Sequence, residues 1–180
     1  MKESLEISVR KATEKDLPSI LRNIRRVARE EIYIATEKVN DATKKYYLER
    51  MSDASSLTLV AVFQDRIIGA LNLWPYWNLK KTRHVSNLGM HVIDEYRNKG
   101  VGSALMRHTL DWAAERQSIE KISLGVFSTN QVALNLYMKF GFVVEGILRK
   151  QHLIRGKYVD EIEMALFLKK ERANLKTDRT

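Results

Sequence analysis

Two glycines one residue apart, with a cation three positions upstream, form the first group in this sequence that suits a defined chemistry: Arg97-x-x-Gly100-x-Gly102. Where such a turn joins a strand to a helix, glycine lets the chain approach phosphate oxygens closely, while free amides and the helix dipole supply a positive field. Two better-known versions fail. The dinucleotide fingerprint needs a third glycine where Leu105 stands, and the nucleoside-triphosphate loop needs Gly-Lys-Ser after four spacers. Downstream lie Asn130, Tyr137 and Phe140-Gly141-Phe142. Asn130 suits a helix N-cap, since its side-chain oxygen reaches free amides. Ala133, Leu136, Tyr137 and Phe140 share one helical face, so Tyr137 reads as a core aromatic whose buried hydroxyl needs a partner.

Other chemistries are excluded early. Cysteine is absent, which removes disulfides, thiolate nucleophiles and cysteine metal sites. The histidines at 84, 91, 108 and 152 lack a spacing such as His-Glu-x-x-His, so no metal is assigned. Arg149 and Asp160 read as a structural pair across the last hairpin.

The elements that must position these residues follow from periodicity. Residues 5–11 alternate as a strand. From Thr13 a helical pattern runs, with Asp16 in its first turn and Leu17, Ile20, Leu21, Ile24 and Val27 on one face. Residues 30–40 lose periodicity, and 41–51 form a short helix with Tyr46, Tyr47 and Leu48. Residues 57–63 and 67–74 read as a hairpin turned at Gln64-Asp65-Arg66. A strand at 84–93 leads through the glycine turn into a long amphipathic helix marked by Leu105, Met106, Leu110 and Ala113. Residues 121–127 are a strand and 130–140 a helix, with Gly141 at its C-cap. Two strands, 142–153 and 158–168, turn at Arg155-Gly156. The order predicts an α/β (mixed α+β) fold, a mixed sheet covered by helices, in a single domain over 1–170 with a basic, frayed tail over 171–180.

The chain has 180 residues, 44% hydrophobic and 29% charged, enough for one core without a metal or disulfide staple. Net charge is +9, but the cations are spread over an early helix, the glycine turn and the tail. With no recognition motif beside them, nucleic-acid binding is disfavoured, and a basic surface that attracts a small polyphosphate fits better. The start lacks a signal-peptide core, and no run approaches the ~18 apolar residues of a membrane helix, so no membrane association and a cytoplasmic location are expected.

From His84 to Leu168 the chain resembles the GNAT superfamily of acetyl-CoA-dependent N-acetyltransferases, through Arg97-x-x-Gly100-x-Gly102, Asn130, Tyr137 and Phe140-Gly141-Phe142. Residues 5–77 have the element order that family uses before this segment. Glu145-Gly146-x-x-Arg149, Gly156-x-Tyr158-x-Asp160 and Met164-x-Leu166 resemble the branch that includes amino-acid and ribosomal-protein acetyltransferases. The resemblance implies a central mixed, mostly antiparallel sheet, splayed in the middle and flanked by about four helices. It implies that the amides of Asn98, Lys99, Gly100, Val101, Gly102 and Ser103 cradle the coenzyme A pyrophosphate, with Arg97 and Lys99 adding charge. Met90, His91 and Val92 would pair their backbone with the pantetheine arm, and Asn130 would add a hydrogen bond to it. Gly89 falls where the family has a strand bulge. Tyr137 would protonate the departing thiolate, while a strand amide near Val92 polarises the thioester carbonyl.

The general base is the gap. Relatives often carry a glutamate on a central strand, whereas this chain has Gly125 at one such position and Leu88 and Met90 on the preceding strand. Glu30 and Glu31 are candidates beside the acceptor pocket, which Tyr33, Trp74 and Trp77 would also line. A weak base suits an acceptor that loses its proton easily: an α-amine with pKa about 7.7–8.0 is roughly a quarter neutral near pH 7.4, a lysine amine about one part in a thousand. The expected activity is therefore acetyl transfer to a small-molecule α-amine such as an amino acid. The alternatives are N-terminal acetylation of a protein, of the ribosomal-protein type, and a non-catalytic coenzyme A-binding regulatory module. Family members are often dimers, so a homodimer is a further expectation.

Overall fold

A computed structural model describes residues 6–36, 38–77 and 79–168. The expected tail at 171–180 lies outside the described residues. Among the described residues seven strands form one sheet in the order β1-β2-β3-β4-β5-β7-β6. They are β1 (Ser8–Lys11), β2 (Leu57–Phe63), β3 (Arg66–Pro75), β4 (Val85–Val92), β5 (Lys121–Phe127), β6 (Val143–Ile154) and β7 (Lys157–Phe167). The helices are α1 (Leu17–Ala28), α2 (Asp41–Ser52), α3 (Val101–Ala114) and α4 (Gln131–Lys139).

Local chemistry explains the connections. Gln64 and Asp65 both take positive φ, 46° and 59°, so a two-residue turn of the twist that hairpins favour joins β2 to β3 without a glycine. The β6–β7 turn uses Arg155 and Gly156 in the same way. Before α1, the Asp16 carboxylate accepts from the Thr13 amide at 2.7 Å and takes two hydrogen bonds from the Arg10 guanidinium, at 2.7 and 2.8 Å, tying β1 to the helix entry. Asn40 caps α2 by accepting from the Thr43 amide, and Gly141, at φ 87°, ends α4.

Alternation along the strands fills two cores. Ile20, Leu21 and Ile24 of α1 and Tyr47 of α2 bury Val60, Ile67 and Ala70 on one face. On the other, Leu105 and Met106 of α3 and Leu134 and Tyr137 of α4 join Leu59, Leu71, Leu73, Leu88 and Ile122.

The feature that matters for function is in the middle of the sheet. All neighbouring strands are antiparallel except β4 and β5, whose parallel pairing is confined to Val85–Asn87 against Lys121–Ser123. Beyond those three pairs the strands part, leaving Leu88–Val92 and Leu124–Phe127 unpaired to each other. No bulge falls at Gly89, since β4 keeps continuous register with β3 from Ser86 to Val92. β5 likewise keeps continuous register with β7 from Lys121 to Phe127, so the two strands part without a bulge in either. Gly89 serves another need: a Cβ there would stand 3.3 Å from the Trp74 ring, which crosses the strand at that point.

Candidate active site

A cavity of about 1190 Å³ occupies the opening between β4 and β5. Its walls include Ile24 and Tyr47 from one face of the sheet and Leu136 and Tyr137 from the other, so it passes through the sheet.

At one end lies the glycine turn. Asn98 (φ 57°) and Gly100 (φ 87°) take left-handed backbone, and Gly100 precedes α3 directly, so the first amides of that helix, beginning with Val101, Gly102 and Ser103, have no acceptor within it. Asn98, Gly100, Val101, Gly102 and Ser103 all line the cavity, and a Cβ at Gly102 would crowd Leu136 Cδ2 at 2.9 Å. Arg97 lines it too, but its charge is engaged: Nε donates to the Val92 carbonyl at 2.9 Å, and the two terminal nitrogens donate to both oxygens of Glu30. The guanidinium also lies 4.1 Å from the Tyr33 ring centroid. Lys99 is outside the lining, with its ammonium 5.7 Å from the Tyr96 ring.

Tyr137 is buried at 6% exposure, packs at a tilt against the Phe142 ring and faces the cavity from α4. Burial pushes its phenol well above the ordinary range, so it stays protonated. Asn130 caps α4 by accepting from the Ala133 amide at 3.2 Å and lines the cavity as well. Along β4, Met90, His91 and Val92 all contribute to the wall. The His91 ring is buried and, among the described residues, its Nε2 has no hydrogen-bond partner. Burial, reinforced by the Arg97 charge, pushes its pKa down to about 4, so it is neutral at pH 7.

The acceptor-side expectations divide. Tyr33 and Trp74 line the cavity, whereas Trp77 is 59% exposed and does not. Glu30 and Glu31 are not among its lining residues: Glu30 grips Arg97, and Glu31 pairs with Arg155 at 3.0 Å. Both carboxylates serve the loop between α1 and α2 as ties to its neighbours.

Residues unread from sequence fill this half. Tyr46, Tyr47 and Asn72 line it, as do Glu161 and Glu163 of β7. The Glu161 Oε2 lies 2.6 Å from His152 Nε2, and the His152 ring packs on Phe127 with centroids 4.5 Å apart. Burial, then the nearby Glu161 and Glu145 carboxylates, raise the Glu163 pKa above its ordinary value. Glu161-x-Glu163 was a legible signal, two acids on one face of a strand. The partnership with His152 was not, because the β6–β7 register shifts between Leu148 and His152. Among the described residues no set of His, Asp and Glu converges as metal ligands.

A parted sheet with one cavity walled from both faces lets two molecules meet from opposite sides. The acetyltransferase (GNAT) family model matches residues 21–142. The L-amino acid N-acetyltransferase AaaT of Escherichia coli (strain K12) is 33% identical over 161 residues, covering 89% of this chain and 97% of that protein. A solved GNAT-family acetyltransferase from Streptococcus pneumoniae superposes with a TM-score of 0.82 at 25% identity, over 91% of this chain and 100% of that one. The ribosomal-protein-alanine N-acetyltransferase of Brucella melitensis gives 0.81 at 25% identity, over 89% and 99%. This chain belongs to the GNAT family of acetyltransferases and is an acetyl-CoA-dependent N-acetyltransferase.

Proposed function

We propose that the acceptor is a small α-amine, an amino acid foremost, and that the cavity through the parted sheet is where it meets the thioester. That cavity is the observation that carries the reading, because its two halves differ in chemistry. The donor half offers the free amides of α3 and the unpaired edge of β4, groups suited to the pyrophosphate and the amide-rich arm of coenzyme A. The acceptor half is walled by Tyr46, Tyr47, Trp74 and Asn72 and carries two carboxylates, groups suited to a small cationic amine. The likeness to an L-amino acid N-acetyltransferase over nearly its whole length supports the same acceptor class.

When bound, acetyl-CoA supplies an activated acyl group on a thiol leaving group. The chain's residues do the rest. Gly100–Ser103 fix the phosphates, β4 aligns the arm, Asn130 adds a polar contact, and Tyr137 holds a proton for the sulfur. Proton donation by a phenol kept neutral contributes at the low end of general acid catalysis, because a thiol with pKa about 8.5 already leaves readily.

The test is release of free coenzyme A from acetyl-CoA across amino acids, polyamines, aminoglycosides and N-terminal peptides. Turnover greatest on free amino acids is the expected result. Turnover on peptides alone would replace the small acceptor with a protein N-terminus, and binding of acetyl-CoA without turnover on any amine would overturn the catalytic reading.

A further inference from the structure

The central strands offer no carboxylate to the acceptor amine: β4 presents Leu88 and Met90, and β5 has Gly125. The space above Gly125 is nevertheless filled. A Cβ built on that glycine would fall on the Glu161 Oε1 atom, so the carboxylate of β7 reaches across and occupies the place of a β5 side chain. Its two oxygens have different tasks, with Oε2 held by His152 Nε2 at 2.6 Å and Oε1 lying over the glycine, and Glu161 itself lining the cavity. His152 is fixed in turn by its packing on Phe127.

We infer that Glu161 is the general base of this acetyltransferase, taking the proton of the acceptor ammonium on Oε1, and that His152 is the positioning residue that holds it there. Absence of a side chain at Gly125 is what admits the carboxylate. The step balances as follows. The ammonium gives one proton to Glu161 Oε1, and the freed nitrogen lone pair forms the N–C bond to the thioester carbonyl carbon. The C–S bond breaks with its electron pair left on sulfur, which takes a proton from Tyr137. The extra N–H proton of the new amide restores Tyr137, and Glu161 returns its proton to water after product release. The imidazole donates from its Nε2–H to Oε2, which keeps Oε1 free.

Other titratable groups face this carboxylate. Glu163 stands two residues along β7, Glu145 of β6 is paired with Lys121 of β5, and His91, Tyr46 and Tyr47 line the same cavity from β4 and α2. Glu163 is the rival, and it lacks both the imidazole partner and the seat over Gly125.

The inference rests on amine acetylation, and on the small α-amine acceptor only for the choice of probe. The experiment measures kcat/KM against pH for the wild type, Glu161→Gln, Glu161→Asp, Glu163→Gln and His152→Gln, using whichever amine of the acceptor panel the wild type acetylates fastest. Acetyl-CoA affinity of each variant, read by calorimetry, reports the integrity of the fold. Glu161→Gln is expected to lose about a hundredfold at pH 7. That deficit should shrink toward high pH as bulk water deprotonates the amine, while acetyl-CoA affinity is unchanged. Glu161→Asp should recover part of the rate, and His152→Gln should lose less than Glu161→Gln. A loss in Glu161→Gln that is equal at every pH, or the pH-dependent loss appearing in Glu163→Gln instead, would overturn it. If the preferred amine is not an amino acid, the acceptor class falls while this comparison still decides the base.

Discussion

The Arg97 guanidinium is gripped by both oxygens of Glu30, at 2.6 and 2.7 Å, across 67 residues of chain. The cation that opens the glycine motif is therefore paired within the protein. Its side chain is 17% exposed and that of Glu30 27%, so the pair is partly shielded from water and from salt. Removing one partner leaves a charge without compensation. Glu30→Gln is expected to destabilise the fold by about 1–2 kcal/mol, measured by urea unfolding, while its KM for acetyl-CoA stays the same or falls. A raised KM with unchanged stability would show that the pair serves binding directly.

Tyr137→Phe should separate chemistry from packing. Its hydroxyl makes no hydrogen bond among the described residues, so its removal costs the fold little. The kcat should fall about tenfold to a hundredfold, with KM for acetyl-CoA and the thermal midpoint near those of the wild type. Full retention of kcat would return Tyr137 to the role of a core aromatic.

Stability should fall on mild acidification because of His91. The ordinary imidazole value is 6.5 and burial lowers that of His91 to about 4, so the unfolded chain binds more protons between those pH values. Its contribution is fully present above pH 6.5 and is lost as pH drops toward 4, by on the order of 3 kcal/mol. Asp16, whose carboxyl is held far below the usual range by Arg10, loses its contribution only at lower pH. Urea midpoints from pH 8 to 4 should show this slope, and His91→Leu should flatten it.

Gly125→Ala tests the seat of Glu161 without touching a titratable group. The added methyl must displace the carboxylate oxygen that now lies there. Activity should drop with the same recovery at high pH as in Glu161→Gln, whereas the thermal midpoint changes by only a few degrees. Wild-type activity in this variant would mean that the position of Oε1 over the glycine is immaterial.

Local chemistry determined much of this protein. Alternation, caps and turn residues placed the strands and helices to within a few positions. The cation-glycine turn, Asn130 and Tyr137 were legible because their partners are a backbone turn or a helix face close by in sequence. The family resemblance drew on those same residues. What tertiary structure decided is everything that depends on long-range register. Glu30 and Glu31 sit in an aperiodic loop, and only the packed fold shows that their carboxylates are taken up by Arg97 and Arg155. Gly125 read as an empty position, because no local rule shows that a side chain two strands away in sequence, on an adjacent strand in space, leans across it. The partnership of Glu161 with His152 hangs on a register shift in the last hairpin, and a shift of one residue would send each side chain to the opposite face.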